Sequence, residues 1–327
     1  MHRLENRSCR REAERSFTLI EMLTAVTIGV LIVVILLGMI GQVSGIYRRS
    51  TGKIEAFQSA RVGFDLMVRN LSQATLNTYL DYDNDAAPTT YLRKSELRFV
   101  IAASGSEGTP GTANTGEAVF FQAPLHYVVD TADYGGTDSL LNACGYYVSF
   151  TTNSTLPPHV SSLSNPYRYR LMQMLVPAES NTVYASGGTT SWFTGSAPLA
   201  DVTPVADNVI ALLIRPQDPA STPPDVTPDY TDDTLLDATN SPQPATANQL
   251  PPVLQVTLVA IDEASAKRLE NGSTPPAAIT SAMNGKFQTV ADYQADLDAL
   301  QTALTAAHIQ YRVFSSTVPL RESKWTK

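Results

Sequence analysis

FTLIEMLTAVTIGVLIVVILLGMIGQVSGIY, running from Phe17 to Tyr47, decides how the rest of this chain is read. It carries one charge, Glu21, and none from Met22 to Tyr47. A helix of about 20 residues crosses the hydrocarbon layer of a bilayer, so this stretch predicts one membrane span. No second stretch of that length occurs in the 327 residues, and the expected topology is single-pass. A cleaved secretory signal has an apolar core of about 7–15 residues with a small-residue cleavage site behind it. The core here is longer, and no such site follows. A plain signal anchor fits the length but leaves Glu21 unexplained, because a lone acid in a membrane helix is costly and points to a function with a partner.

Outward toward the N-terminus, residues 1–16 are polar and hold five arginines against Glu5, Glu12 and Glu14. Outward in the other direction, Arg48, Arg49, Lys53 and Arg61 flank the span, so the count of basic residues hardly orients it. Gly41 and Gly45 have the small-xxx-small spacing of closely packed membrane helices, although glycine is also simply tolerated there. Phe57, Ala60, Phe64, Met67, Leu71 and Ala74 then recur every three or four residues as one apolar stripe. No proline occurs before Pro88, so one helix is expected from Phe17 to about Thr78, roughly 90 Å at 1.5 Å per residue. Its stripe is expected to pack on the chain's own sheet, a partner surface being the alternative.

Past the polar loop Asp81–Thr90 the pattern turns to short strands between Gly, Pro, Ser, Thr and Asp loops. Strands are expected at Glu96–Ala102, Ala118–Gln122, Gly145–Phe150, Tyr167–Leu175, Asn208–Arg215, Val253–Ile261 and Ile309–Val318. Helices are expected at Asp262–Glu270 and Ala291–Ala307, and a long exposed loop over 216–252. The fold class is therefore α+β: a long N-terminal helix, membrane-spanning in its first half, on antiparallel sheet. The divisions are 1–16, 17–47 for the span, 48–80 for the amphipathic half, and 81–327 for the globular part.

Composition excludes several functions. A net charge of −8 shows no basic footprint for nucleic acid. Cys9 and Cys144 are too few for a disulfide scaffold or a thiolate zinc site. His2, His126, His159 and His308 have no metal-ligand spacing. Asp81, Asp83 and Asp85 begin like a calcium loop, but Ala86 stands where glycine is needed and Leu92 where glutamate is needed. Asp225, Asp229, Asp232 and Asp233 form a second acidic cluster, read with the first as solvated turn acids. Cys144 is expected as a small buried hydrophobe. No catalytic residue, metal site or cofactor is assigned, and no enzymatic activity is expected.

Ser16, the run Phe17-Thr18-Leu19-Ile20-Glu21 and the apolar helix behind it resemble the type IV pilin and pseudopilin class. The resemblance implies that a prepilin peptidase cuts between Ser16 and Phe17 on the cytoplasmic face and that the new Phe17 amine is N-methylated. It also implies that Glu21 neutralises that amine on a neighbouring subunit during assembly. Ser16 departs from the glycine usual before the cut. The segments YRYRLMQMLVPAE (Tyr167–Glu179), LPPVLQVTLVAIDEASAKRL (Leu250–Leu269) and YRVFSSTVPLRESKW (Tyr311–Trp325) look more narrowly like the Verru_Chthon cassette protein C family. That family is related in layout to minor pseudopilin J of type II secretion. It implies a pilin-like fold, an inner-membrane protein with a cytoplasmic N-terminus and a periplasmic globular part, and pilin or pseudopilin subunits as partners. A minor subunit at the tip of a pseudopilus is the role expected; a membrane-anchored binding or adhesive domain outside any filament is the alternative.

Overall fold

The computed structural model describes residues 18–106, 108–136, 139–153, 165–186, 189–217, 232–234, 241–244 and 246–323. The leader, Ser16, Phe17, His159, Asp225, Asp229 and Trp325 of the sequence reading lie outside these residues. Two compact units divide the chain, Met1–Thr51 and Gly52–Lys327.

The elements begin with helix α1 (Leu19–Leu71), then strands β1 (Tyr79–Tyr82), β2 (Tyr91–Lys94), β3 (Val100–Ala103) and β4 (Glu117–Ala123). A single turn α2 (Thr131–Tyr134) precedes β5 (Asn142–Thr151) and β6 (Arg168–Val176). Short helices α3 (Ser191–Thr194) and α4 (Ser196–Ala200) lead to β7 (Val202–Asp207), β8 (Val209–Gln217) and the two-residue β9 (Asp232–Asp233). Then come β10 (Val253–Ile261), α5 (Glu263–Arg268), α6 (Ala277–Met283), α7 (Tyr293–Ala306) and β11 (Tyr311–Pro319).

In the first unit, residues 19–44 of α1 are long and apolar enough to cross a membrane, with a mean hydropathy of 2.9 and exposed side chains. Its hydroxyls are satisfied within the helix: Thr24 donates to Ile20 O at 3.0 Å and Thr27 to Leu23 O at 3.1 Å. Such internal satisfaction is what a lipid environment demands of polar groups.

In the second unit, the stripe on α1 is core: Ala60, Met67, Leu71 and Ala74 are fully buried and Phe64 nearly so. It packs on the chain's own sheets. The large sheet has the order β7-β6-β5-β4-β3-β9, with every pairing antiparallel. Strand periodicity splits its side chains between two faces. Val119, Phe121, Tyr146 and Leu171 share a cluster with the α1 stripe; Ala118, Phe120, Tyr147 and Met172 share one with Trp192 and Phe193 of α3. The Phe120 and Phe193 rings stack with centroids 4.2 Å apart. Where α1 crosses β6 and β7 the contact is close. A Cβ on Gly63 would stand 3.1 Å from Val205 Cγ1 and 3.2 Å from Ala206 Cβ.

The second sheet has the order β11-β10-β8, also antiparallel. Phe314 lies opposite Leu258 and its ring meets Phe64 of α1 at 6.1 Å, so α1 covers that face. Thr257 points to the other face, where its hydroxyl bonds the Tyr293 hydroxyl of α7 at 2.7 Å. Leu297, Leu300 and Leu304 bury the apolar side of α7. The two sheets join where Leu212 N–H donates to Thr115 O at 3.0 Å. Gly116 adopts φ +90° there, and a Cβ would lie 2.0 Å from Leu212 O, so only glycine fits.

The structure corrects four expectations. Helix α1 stops at Leu71, not near residues 78–80, because the chain turns through Gln73 and Ala74 and Thr75 bonds to Gln122 of β4. Asn77 then spends its carbonyl on Ser95, Glu96 and Leu97, which also delays β3 to Val100. The polar loop Asp81–Thr90 is the tip of the β1–β2 hairpin. The stretch 216–252 is only partly an exposed loop: Gln217 ends β8, Asp232–Asp233 pairs with β3, and Ala247 and Leu250 are buried. Strand β7 and helix α6 carry no strong sequence signal and were not expected.

Candidate functional site

The start of α1 holds the one sequence-assigned residue that falls within the described residues, Glu21. Thr18 precedes the helix and accepts its first bond, from Met22 N–H to Thr18 O at 3.2 Å. The Thr18 hydroxyl accepts the Glu21 N–H at 3.3 Å. In return Glu21 Oε2 accepts both the Thr18 N–H at 2.9 Å and the Thr18 hydroxyl at 2.8 Å. This is a capping box, two residues satisfying each other's exposed groups at a helix N-terminus. The carboxylate also complements the positive end of the helix dipole. Both Thr18 bonds go to Oε2, and no hydrogen bond to Oε1 is formed among the described residues.

Sequence reasoning missed Thr18 as part of the site. Its signal is present as the spacing Thr18-x-x-Glu21 ahead of an apolar run. Ser16 and Phe17 lie outside the described residues, so the structure brings together Thr18 and Glu21 alone.

Elsewhere several of the candidate chemical groups have structural partners. Asp81 pairs with Lys94 at 2.8 Å across the hairpin. Asp83 accepts the main-chain N–H of Thr89 at 2.9 Å and of Thr90 at 3.2 Å, with the Thr89 hydroxyl as well. The Thr89 hydroxyl and these amides hold its carboxyl well below the usual range. His126 Nδ1 accepts the Ser139 N–H at 2.7 Å. No group of three or more His, Cys, Asp or Glu side chains fit to hold a metal ion occurs among the described residues.

Cys144 is fully buried, and burial pushes its thiol up to about 12, far from a thiolate nucleophile. It belongs to a small polar cluster under α1. There Asn70 Nδ2 and Gln173 Nε2 donate to the Tyr146 hydroxyl at 2.7 and 2.8 Å. Desolvation raises Tyr146 strongly as well, so the cluster stays neutral and ties α1 to β5 and β6. Glu117, 3% exposed, has its carboxyl raised well above its ordinary value by desolvation.

No protein-family model matches the chain, and neither a curated protein nor a solved structure matches it.

Proposed function

We propose that the chain is a minor pseudopilin-like subunit of an envelope assembly related to type II secretion or type IV pili. In this reading a prepilin peptidase removes residues 1–16 and the Phe17 amine is N-methylated. The helix stays in the inner membrane, with the globular unit, folded in the manner of pilins, in the periplasm. Glu21 then offers a carboxylate to the Phe17 amine of a neighbouring subunit. A charge pair in a low-dielectric bundle fixes register more than it adds stability. The reading is carried by one observation: the only carboxylate of the span sits in its first turn, positioned by Thr18, with Oε1 uncommitted among the described residues. The globular unit suits a tip or initiating position, since its bulk is awkward to repeat along a thin filament.

The test is N-terminal mass spectrometry of the membrane-purified protein. A terminus at methylated Phe17 is expected, and an intact leader overturns the reading.

One observation favours the second reading, a membrane-anchored exported binding domain outside any filament. The capping box satisfies Glu21 within its own chain, so a neighbour's amine is not needed to account for the residue. Co-purification of pilin-like partners with the wild-type chain, lost on Glu21→Gln, excludes that reading.

A further inference from the structure

The two edges of the β1–β2 hairpin are unlike. Asp83 N–H donates to Thr90 O at 3.1 Å, so the ladder's main-chain bonds run through the pairs Asp81–Leu92 and Tyr79–Lys94. The intervening residues, Leu80 and Tyr82 on β1 and Tyr91 and Arg93 on β2, turn their main-chain groups outward. On β2 side chains close this edge at Arg93. Gln243 Oε1 accepts the Arg93 N–H at 2.6 Å, while Gln243 Nε2 and Asn248 Nδ2 donate to Arg93 O at 3.0 and 2.7 Å. On β1 the Tyr82 N–H is turned to the Asp81 carboxylate at 2.8 Å. Leu80 on β1 and Tyr91 on β2 keep both main-chain groups without a partner among the described residues, and Leu80 is 68% exposed. Folded proteins blunt their edge strands against pairing with other chains; here the β2 edge is blunted at Arg93, beside the groove, while the β1 edge opposite it is open at Leu80.

A groove of about 310 Å³ lies beside the open edge, lined by Leu76, Leu80 and Leu250 together with Arg93 and Glu322. It has room for a side chain or two from an added strand. The Arg93 guanidinium is already spent on carbonyls, with Nη2 2.6 Å from Pro244 O and Nε 3.3 Å from Ala247 O. The same hairpin face continues as an exposed aromatic platform, where the Tyr82 and Tyr91 rings stack with centroids 5.0 Å apart. The charge around the site is lopsided. Asp81, Asp83, Asp85, Glu96 and Glu322 stand on or beside the hairpin against Lys94 and Arg93, and Lys94 is paired with Asp81.

We propose that the open β1 edge docks an extended, basic segment of a partner protein. The segment adds as a strand alongside Leu80 and exchanges main-chain bonds with its N–H and C=O. It sets an aliphatic side chain into the groove and turns lysines or arginines toward Glu322 and the hairpin carboxylates. Strand addition of this kind draws affinity from the main chain and specificity from pockets for alternate side chains. A second copy of this chain is the poorer occupant, since it brings the same carboxylate surplus against itself. The proposal stands whether or not the leader is processed.

The test uses the full chain in neutral detergent micelles and the probe acetyl-Lys-Val-Lys-Val-Lys-Val-Lys-amide carrying a fluorophore. Binding is read by anisotropy, and docking is located by hydrogen exchange at the Leu80 amide. The probe should bind and slow that exchange, and Leu80→Pro should weaken binding about tenfold, as expected for one lost edge bond. That variant removes an outward N–H and also the Leu80 side chain from the lining of the groove, so the main-chain share is read from the modified probe below. The pairs on either side keep the hairpin, and exchange of the Leu92 amide checks that they do. An independent arm leaves the protein intact: a probe N-methylated at alternate amides should lose affinity to the same degree. Absence of binding, unchanged Leu80 exchange, equal binding of the glutamate-for-lysine probe, or protection of Leu80 that rises with protein concentration without probe would each overturn the proposal.

Discussion

Glu117 Oε2 accepts the Ile214 main-chain N–H at 3.0 Å, placing a buried carboxyl at the seam between the two sheets. One residue away Gly116, just ahead of β4, lies against Leu212, so the seam is built where β4 begins and β8 passes. The group's desolvation outweighs its two favourable influences, the main-chain bonds and the Arg215 charge, and its carboxyl titrates above the ordinary 4.5.

That shift sets a pH dependence. The folded value lies above the unfolded one, so the associated stability is fully present below about pH 4.5 and is lost as pH rises through the folded value. Glu117→Gln keeps an acceptor for Ile214 and removes the charge. The variant should melt higher than wild type near pH 8 and show a smaller fall in Tm between pH 5 and 8. Glu117→Ala instead orphans the Ile214 N–H and should destabilise by about 1–3 kcal/mol. Thermal melts across pH check both.

Charge and capping at Glu21 can be separated. Glu21→Gln keeps an oxygen for both Thr18 donors, while Thr18→Val removes the hydroxyl that closes the box and keeps the carboxylate. If a neighbour's amine is the target, Glu21→Gln abolishes co-purification of partner subunits and Thr18→Val reduces it less. If capping is the whole role, Thr18→Val does the greater harm, speeding amide exchange over the first turn by the loss of a cap worth about 1 kcal/mol. Quantitative co-purification with exchange in micelles decides.

At the crossing of α1 over β7, Gly63 reports on packing. Gly63→Ala gains up to about 1 kcal/mol of helix propensity against contacts of 3.1 and 3.2 Å, and should change stability little. Gly63→Leu cannot be accommodated and should cost about 1–3 kcal/mol or more by overpacking. Denaturant midpoints of the two variants give the comparison.

Cys144 should resist iodoacetamide at pH 8 in the folded protein and react fully once the chain is unfolded. Mass spectrometry of the peptide containing residue 144 reads this. Rapid labelling under native conditions would show that the cluster of Asn70, Tyr146 and Gln173 opens readily.

Local periodicity carried much of this architecture. The α1 stripe, β10 over Val253–Ile261 and the Leu297, Leu300 and Leu304 face of α7 follow from spacing alone, because each is a regular element with one apolar side. Helix and strand ends were less legible. Past Leu71 the chain is taken up by a main-chain bond from Thr75 to Gln122 of β4, and ahead of Val100 side chains from elsewhere, those of Asn77, Gln122 and Thr234, take the main-chain bonds. The β1–β2 hairpin was hidden for a related reason: its tip is polar, its faces are exposed, and its closed edge depends on Gln243 and Asn248, some 150 residues away.

The sequence by itself determined that one apolar span lies near the N-terminus, that a single carboxylate marks its first turn, and that the remainder is helix on antiparallel strands. These are properties of composition and period, which no distant residue can alter. Tertiary structure alone decided that Glu117 is buried at a seam, and that Leu80 keeps an open edge while Arg93 does not. Each of these depends on which main-chain groups are left over after the ladders form, and that is settled only when segments far apart in the chain are packed together.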